Sequence, residues 1–433
     1  MQDNAADTDR RKLLMGAAIT AAAVTLPAAQ ASAKTVVQAT APADAITMAA
    51  QIRKGDVTPL EALEAAIARV EALPRLNAVV IKDYEQAREH AKKISAMGRD
   101  ARKQATDSAP LWGLPFVLKD LGMSMAGTVT SNGCAFFKDA VATQDSTLVT
   151  RYKAAGLNIF GKTASPEFGM TTTTESKLYG ATLNPWNTKH TTGGSSGGTA
   201  AVIAAGILPV GHASDGGGSI RIPAAHCGLF GLKPSRGRIP AGPSSLDGAT
   251  GLSVNHVISR SVRDSALLLD LSAGPEFGSR VRPPSDSPRG YLEAMQKPER
   301  KLRIAIWRKS YFGMPVHADC LAAVDKAAKA CEAMGHILEE AMPDLPVAEI
   351  FAGMGPGMSA GLLSSIEYRE KQLGRAVRED EMEPLNWAAL QAAKKATALE
   401  LYRGRAGFDK AGQLIDAFLS KYDLILTPTT AVP

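Results

Sequence analysis

Short apolar runs alternate with helix-forming segments along most of this 433-residue chain, and this alternation limits the fold more than any other feature. The apolar runs are predicted strands or buried segments at 77–81, 114–120, 157–161, 207–213, 302–307 and 423–428. The segments between them are predicted helices, among them 145–156, 199–206, 262–273, 318–334 and a mostly helical stretch over 345–420. Such alternation predicts an α/β fold with a mixed central β-sheet covered by helices on both faces.

The first 33 residues differ from the rest of the chain. Arg10 and Arg11 precede an alanine-rich apolar run, and a small-residue Ala-Ser-Ala sequence ends at Ala33. This layout predicts an export signal of the twin-arginine type, and therefore a periplasmic or secreted protein. A membrane anchor is the alternative, but the run Leu13–Leu26 is short for a membrane span, so no stable anchor is expected. Residues 34–433 are predicted to form one enzyme domain, with the Pro- and Gly-rich segment 273–290 as a loop inside it.

Charge and cysteine usage exclude several functional classes. The net charge of +6 is spread along the chain, and aromatic residues do not interleave with basic ones, so no nucleic-acid partner is predicted. The cysteines (Cys134, Cys227, Cys320 and Cys331) form no CxxC motif and no Cys/His cluster. We therefore expect no metal and no cofactor, and we interpret the cysteines as buried small residues.

Two short motifs match known patterns but lie in the wrong context. Gly156–Thr163 satisfies the phosphate-loop pattern, yet its middle residues form a predicted strand where that pattern needs a flexible loop. Gly193–Gly197 satisfies the GxSxG nucleophile elbow, which needs a hydrophobic strand directly before it. Here the preceding residues are predicted loop, so neither motif is given its usual function.

The strongest chemical signal is a pair of glycine- and serine-rich segments. Ser195 lies in GGSSGG (193–198), and Ser219 lies 24 residues later in SDGGGSIRIPAA (214–225). Three consecutive glycines before Ser219 allow backbone N–H groups to converge on one point, where they could hold an oxyanion beside an attacking hydroxyl. One helix and one apolar segment separate the two loops, so we expect them to meet at one sheet edge.

A serine nucleophile needs a base, and the residues alone leave two candidates. His212 lies near Ser219 in sequence, but inside an apolar run where a buried structural histidine is equally expected. Lys119 ends the apolar run 114–118, and a lysine in a desolvated site has a lowered pKa and can act as a base. A surface lysine just past a strand end is the alternative.

The segments GGSSGGTAAVIAAG and SDGGGSIRIPAAHCGLFGLKP closely resemble the signature of the amidase signature family. LWGLPFVLKD, GKTASPEFG and NPWN extend the resemblance, which covers roughly 43–433. It implies a Ser–cis-Ser–Lys triad, in which Ser219 matches the nucleophile, Ser195 the bridging serine beside a cis peptide, and Lys119 the base. It also implies an oxyanion hole formed by the backbone of Gly216, Gly217, Gly218 and Ser219, with Asp215 and Arg221 in structural positions.

The implied activity is that of a serine amidohydrolase cleaving a small-molecule carboxamide through an acyl-enzyme. The wording HASDGGGSIRIPA resembles the 6-aminohexanoate cyclic-dimer hydrolase branch, which suggests a medium-sized linear or cyclic amide and a monomer or homodimer. An esterase or carbamate hydrolase on the same triad is an alternative, whereas an aminoacyl-tRNA amidotransferase subunit fits an export signal poorly. Family members continue past the segment that ends this chain. The resemblance therefore implies an amidase-signature fold lacking its C-terminal part, with an inactive remnant as a further alternative.

Overall fold

The computed structural model describes residues 43–244, 246, 251–282, 290–296 and 300–433. The predicted export signal and the linker after it lie outside these residues. The helices are α1 (Ala45–Lys54), α2 (Pro59–Ala72), α3 (Tyr84–Ser95), α4 (Arg99–Ser108), α5 (Thr147–Ala154), α6 (Gly197–Ala204), α7 (Arg221–His226), α8 (Val262–Ser272), α9 (Tyr291–Ala294), α10 (Ala318–Ala333), α11 (Val347–Leu373), α12 (Pro384–Ala393) and α13 (Ala398–Leu419). The strands are β1 (Val79–Lys82), β2 (Pro115–Lys119), β3 (Asn158–Thr163), β4 (Glu175–Ser176), β5 (Gly180–Ala181), β6 (Val210–Asp215), β7 (Phe230–Gly231), β8 (Val254–Ser259), β9 (Arg303–Ile306), β10 (Ile337–Glu340) and β11 (Leu424–Leu426).

The predicted α/β class is confirmed, although the strands form several hydrogen-bonded sheets where we expected one. The first sheet has the order β1-β3-β2 and is mixed, because β1 runs antiparallel and β2 parallel to β3. The second sheet has the order β6-β8-β7, and its neighbouring strands are antiparallel. The third has the order β10-β9-β11, and its strands are parallel. β2 and β6 lie side by side, which joins the first two sheets at the place where the two glycine-rich loops emerge.

Helix α6 lies at the centre of this arrangement and packs on β2, β3, β6 and β8. It follows the GGSSGG segment directly, and all of its residues from Gly197 to Ile203 are buried. Its small side chains let it approach the strands closely, while Val202 and Ile203 fill the space between them. Burial of each such branched side chain stabilises the fold by roughly 1.5–3 kcal/mol.

The glycines of this segment are required by close packing. A Cβ at Gly198 would lie 2.4 Å from the backbone nitrogen of Ala164, and a Cβ at Gly197 would lie 2.3 Å from the hydroxyls of Thr174 and Thr192. A Cβ at Gly194 would lie 2.6 Å from the carbonyl oxygen of Thr173. The glycine-rich loop is therefore held tightly between neighbouring chain segments.

The C-terminal part matches the predicted helical stretch, which the structure divides into α11, α12 and α13. Leu362 and Ile366 of α11 and Leu390 of α12 pack with Phe136 and Phe137 in one buried cluster. This cluster joins α11 and α12 to the chain segment between β2 and α5. None of the described helices has the length and apolar character needed to cross a membrane.

The cysteine prediction is only half right. All four cysteines are free, and Cys134 and Cys227 are fully buried as expected. Cys320 and Cys331 both lie on α10, as predicted, but they remain partly exposed because most of that helix faces solvent.

We expect Gly198→Ala to destabilise the protein by about 1–3 kcal/mol. The added methyl group overlaps the backbone of Ala164, and neither backbone segment can move away. Gly412→Ala is the matched control, since Gly412 is also helical but has no atom within 4 Å of the Cβ position. That change should stabilise the protein by about 0.5–1 kcal/mol through helix propensity. Urea denaturation of both variants measures the difference, and equal effects of the two changes would contradict the packing argument.

Candidate active site

Lys119 and Ser195 meet in the interior of the protein. Lys119 is the last residue of β2 and Ser195 lies just before α6, and the exposed fractions of the two residues are 0% and 1%. The Nζ of Lys119 donates a hydrogen bond of 2.7 Å to the Oγ of Ser195. The peptide bond Gly194–Ser195 is cis, as the family resemblance implies.

Burial changes the chemistry of this lysine. Desolvation lowers the pKa of Lys119 to about 7, and the Asp215 carboxylate nearby opposes the shift. Near neutral pH, Lys119 is therefore a neutral amine in a large fraction of the protein molecules. A neutral amine can accept a proton, which an ordinary surface lysine cannot do at this pH.

The imidazole of His212, the other candidate base, forms hydrogen bonds to groups other than a serine hydroxyl. Its Nδ1 accepts a hydrogen bond of 3.1 Å from the backbone N–H of Lys119, so the ring proton lies on Nε2, which is 3.3 Å from Asn255 Oδ1. Burial, together with the neighbouring Lys119, lowers the pKa of His212 to about 3. The imidazole is thus neutral, and it supports the end of β2 from the adjacent strand β6.

The two serine-bearing loops meet, as predicted. The backbone N–H of Ser196 donates a 3.2 Å hydrogen bond to the carbonyl of Ser219. Ser219 is partly exposed, in contrast to the buried Ser195. The candidate relay serine is therefore internal, whereas the candidate nucleophile is accessible from solution.

Asp215 organises the loop that carries Ser219. Its carboxylate accepts hydrogen bonds from the backbone N–H of Gly218 at 2.7 Å and of Ile220 at 3.2 Å. It also accepts two hydrogen bonds from the Arg221 guanidinium, at 2.8 and 2.9 Å. Because the Gly218 N–H is directed at Asp215, we correct the predicted set of oxyanion donors. Without the Gly218 N–H, the candidate oxyanion donors are the backbone N–H groups of Gly216, Gly217 and Ser219.

Two further serines, neither of them predicted to have a chemical role, belong to this site. The Oγ of Ser214 accepts a second hydrogen bond from Lys119 Nζ, at 3.1 Å. The Oγ of Ser196 donates to the carbonyl of Ser214 at 3.2 Å and accepts from its N–H at 3.3 Å. Strand periodicity offered a signal for Ser214, because it lies two residues after His212 on β6 and thus on the same face.

The two misleading motifs are resolved by their surroundings. Lys162 and Thr163 of the phosphate-loop pattern lie buried within β3, where no flexible loop exists to surround a phosphate. The residues directly before Gly193 form no strand, so the GxSxG elbow is absent too. Among the residues that the structure describes, no three His, Cys, Asp or Glu side chains gather as a metal site.

Comparison with known proteins identifies the family. The Amidase family model matches residues 61–433. The chain is 34% identical over 397 residues to the 6-aminohexanoate-cyclic-dimer hydrolase of Paenarthrobacter ureafaciens, covering 89% of this chain and 77% of that protein. The solved structure of a 6-aminohexanoate cyclic dimer hydrolase complexed with substrate is similar at a TM-score of 0.79, with 31% identity and coverage of 88% and 77%. A bacterial aryl acylamidase of the amidase signature family gives a TM-score of 0.83, with 26% identity and coverage of 90% and 80%. The chain belongs to the amidase signature family, hydrolases that act on carbon–nitrogen bonds other than peptide bonds.

Proposed function

We propose that this protein hydrolyses a carboxamide through an acyl-enzyme, with Ser219 as nucleophile, Ser195 as relay and Lys119 as base. The observation that carries the proposal is the 2.7 Å hydrogen bond between Lys119 Nζ and Ser195 Oγ in a fully buried site. A serine hydroxyl is a weak nucleophile until a base removes its proton. A neutral lysine reached through a second hydroxyl provides such a base.

The proposed proton path conserves every atom. Ser219 Oγ attacks the carbonyl carbon while its proton passes to Ser195 and the Ser195 proton passes to Lys119. The tetrahedral intermediate collapses when the C–N bond breaks, and the proton returns along the same path to the leaving amine. Water then attacks the acyl ester, and a proton of the water passes through Ser195 to Lys119. The bond between Ser219 Oγ and the acyl carbon breaks, the proton returns to Ser219 Oγ, and a carboxylic acid leaves as the product.

The backbone before Ser219 is the proposed oxyanion site. Gly216 and Gly217 are exposed, and a Cβ built at Gly217 would meet no atom within 4 Å, so a substrate oxygen can approach their amides. Asp215 holds the turn by binding the Gly218 N–H. Donors fixed in advance stabilise the developing negative charge without reorganisation.

The proposed substrate is a medium-sized amide, linear or cyclic. Similarity to a cyclic-dimer hydrolase over most of the chain supports this choice. Hydrolysis of esters or carbamates on the same triad is the alternative, because an acyl-enzyme mechanism accepts several leaving groups. Initial rates with matched amide, ester and cyclic-amide panels decide between them. All the proposed reacting groups lie on one chain, so we propose that a monomer or homodimer is active.

We expect Ser219→Ala to reduce kcat by roughly 10⁴-fold or more, because the acyl-enzyme can no longer form. Lys119→Ala should reduce kcat by about 10²- to 10⁴-fold, the usual contribution of a general base. His212→Ala is the comparison, and its loss should be smaller than that of Lys119→Ala. Steady-state kinetics on folded variants measures all three. An inactive His212→Ala variant beside an active Lys119→Ala variant would refute the relay.

The pH dependence should follow the neutral form of Lys119. Because the amine must be unprotonated to accept a proton, kcat/KM should rise with pH, about tenfold per unit below the pKa, and level off above about 7. His212 should not contribute, since its pKa of about 3 lies below this range. A kcat/KM profile that is flat between pH 5.5 and 8.5 would contradict the assignment of Lys119 as base.

We further propose export through the twin-arginine route to the periplasm or medium. Arg10 and Arg11, followed by a short alanine-rich run, support this proposal. Replacing both arginines by lysine should leave the full-length protein inside the cell, because this route recognises the arginine pair. Cell fractionation with immunoblotting measures the distribution, and unchanged export of the double variant would contradict the route.

A further inference from the structure

Gly169 lies directly against the relay serine. It has a φ of +68°, and a Cβ at this position would lie 3.0 Å from Ser195 Oγ and 2.7 Å from Leu121 Cδ2. Gly169 itself is partly exposed, whereas Ser195 is buried. The Gly169 backbone therefore lies beside the Ser195 hydroxyl, and its positive φ together with these short contacts disfavours any side chain in its place.

The backbone next to Gly169 adopts a conformation that bulky residues rarely take. Phe168 has a φ of +51°, and its N–H donates a 2.8 Å hydrogen bond to the carbonyl of Asn132, whose own φ is +54°. A Cβ at Gly133 would lie 2.6 Å from the carbonyl oxygen of Ser165. Such conformations persist only where the surrounding structure enforces them, and they gather at functional sites.

Hydrogen bonds to Glu167 hold this part of the backbone in place. Its side chain is buried, and Oε1 accepts hydrogen bonds from the Glu383 N–H at 3.0 Å and from Asn386 Nδ2 at 2.9 Å. The carbonyl of Glu167 accepts a second bond from Asn386 Nδ2 at 3.2 Å. The Phe168 ring packs edge-on against Phe137, with ring centroids 5.6 Å apart. Helix α12 and the segment before it therefore hold the loop that carries Gly169.

We propose that Glu167 is a positioning residue for the reaction: by tying 165–170 to α12, it holds Gly169 over the Ser195 hydroxyl and keeps water from the Lys119–Ser195 hydrogen bond. This inference rests on the proposed function, because it concerns the same relay.

The physical link between Glu167 and the chemistry is desolvation. Lys119 acts as a base only because burial favours its neutral form. Water admitted beside Ser195 would solvate the ammonium and raise its pKa part of the way toward the ordinary value. The charged or titratable neighbours of Lys119 are Asp215 and His212, and those of Glu167 are Cys134 and Glu383. None of these neighbours is removed by the variants below, and Asn386→Ala removes no titratable group at all, so a shift shared by both variants reports solvent entry.

The test measures how fast an alkyl fluorophosphonate labels Ser219 in the full chain between pH 5.5 and 9.5. Glu167→Ala and Asn386→Ala should each move the midpoint of the rate–pH profile upward by about one unit. Labelling would then be about tenfold slower than wild type at pH 6 and nearly equal to it at pH 9.5. Asn386→Ala leaves the loop sequence intact, so it remains informative if Glu167→Ala fails to fold. Glu167→Gln retains one acceptor oxygen and should keep a midpoint close to wild type.

Asp264→Ala is the matched control. Asp264 is also a buried carboxylate that binds the start of a helix, accepting from the N–H groups of Ala45 at 2.9 Å and Ile46 at 3.1 Å. Its removal should lower the thermal midpoint and leave the midpoint of the labelling profile unchanged. An equal shift of the labelling profile in this variant would overturn the proposal, because general loosening would then explain the result.

Three other outcomes are decisive. If Glu167→Ala and Asn386→Ala label more slowly by the same factor at every pH, the loop has only a structural role and this inference is wrong. If Lys119→Ala labels as fast as wild type, the proposed function itself fails. A slow Lys119→Ala variant with unshifted midpoints in Glu167→Ala and Asn386→Ala overturns this inference alone.

Discussion

A single hydrogen bond in a dry interior, from the Lys119 amine to the Ser195 hydroxyl, imposes demands on the rest of this structure. An uncharged lysine amine is available near neutral pH only where water is excluded, and exclusion requires dense packing on every side. Strand β2 delivers Lys119 from a fully buried run, and the glycine-rich segment before helix α6 brings Ser195 to it. The glycines and alanines around Ser195 allow these elements to come close enough.

The seam between β2 and β6 shows how this packing is organised. At the end of β2 the Lys119 N–H binds the imidazole of His212, and beside this seam Ser196, at the start of α6, and Ser214 of β6 bind each other. Each buried polar group named here has a partner, which matters because an unsatisfied one costs roughly 1–3 kcal/mol. Groups that look catalytic by type, such as His212, thus serve the geometry of the one group that is proposed to act as base.

Much of this could be predicted from the sequence, and the exceptions share a cause. Helices such as α10 and the helical stretch 345–420 follow from local periodicity, and the meeting of the Ser195 and Ser219 loops follows from the short element between them. The division of strands into separate sheets was not predictable, because strand pairing is non-local. The choice between His212 and Lys119 depends on which strand lies beside β2. The loss of the Gly218 N–H to Asp215 depends on a turn whose shape no residue pattern specifies.

The contrast in exposure between Ser195 and Ser219 has a consequence for how the protein can change. In the proposed mechanism, proton transfer between Ser195 and Lys119 is enclosed by the fold, whereas the bond to be broken meets the protein at the partly exposed Ser219. We expect that side chains around that open surface can be replaced without disturbing the buried lysine and its partners. If the proposed mechanism holds, substrate choice and acid–base chemistry are separable properties of this chain, and mutations can vary one while the other stays constant.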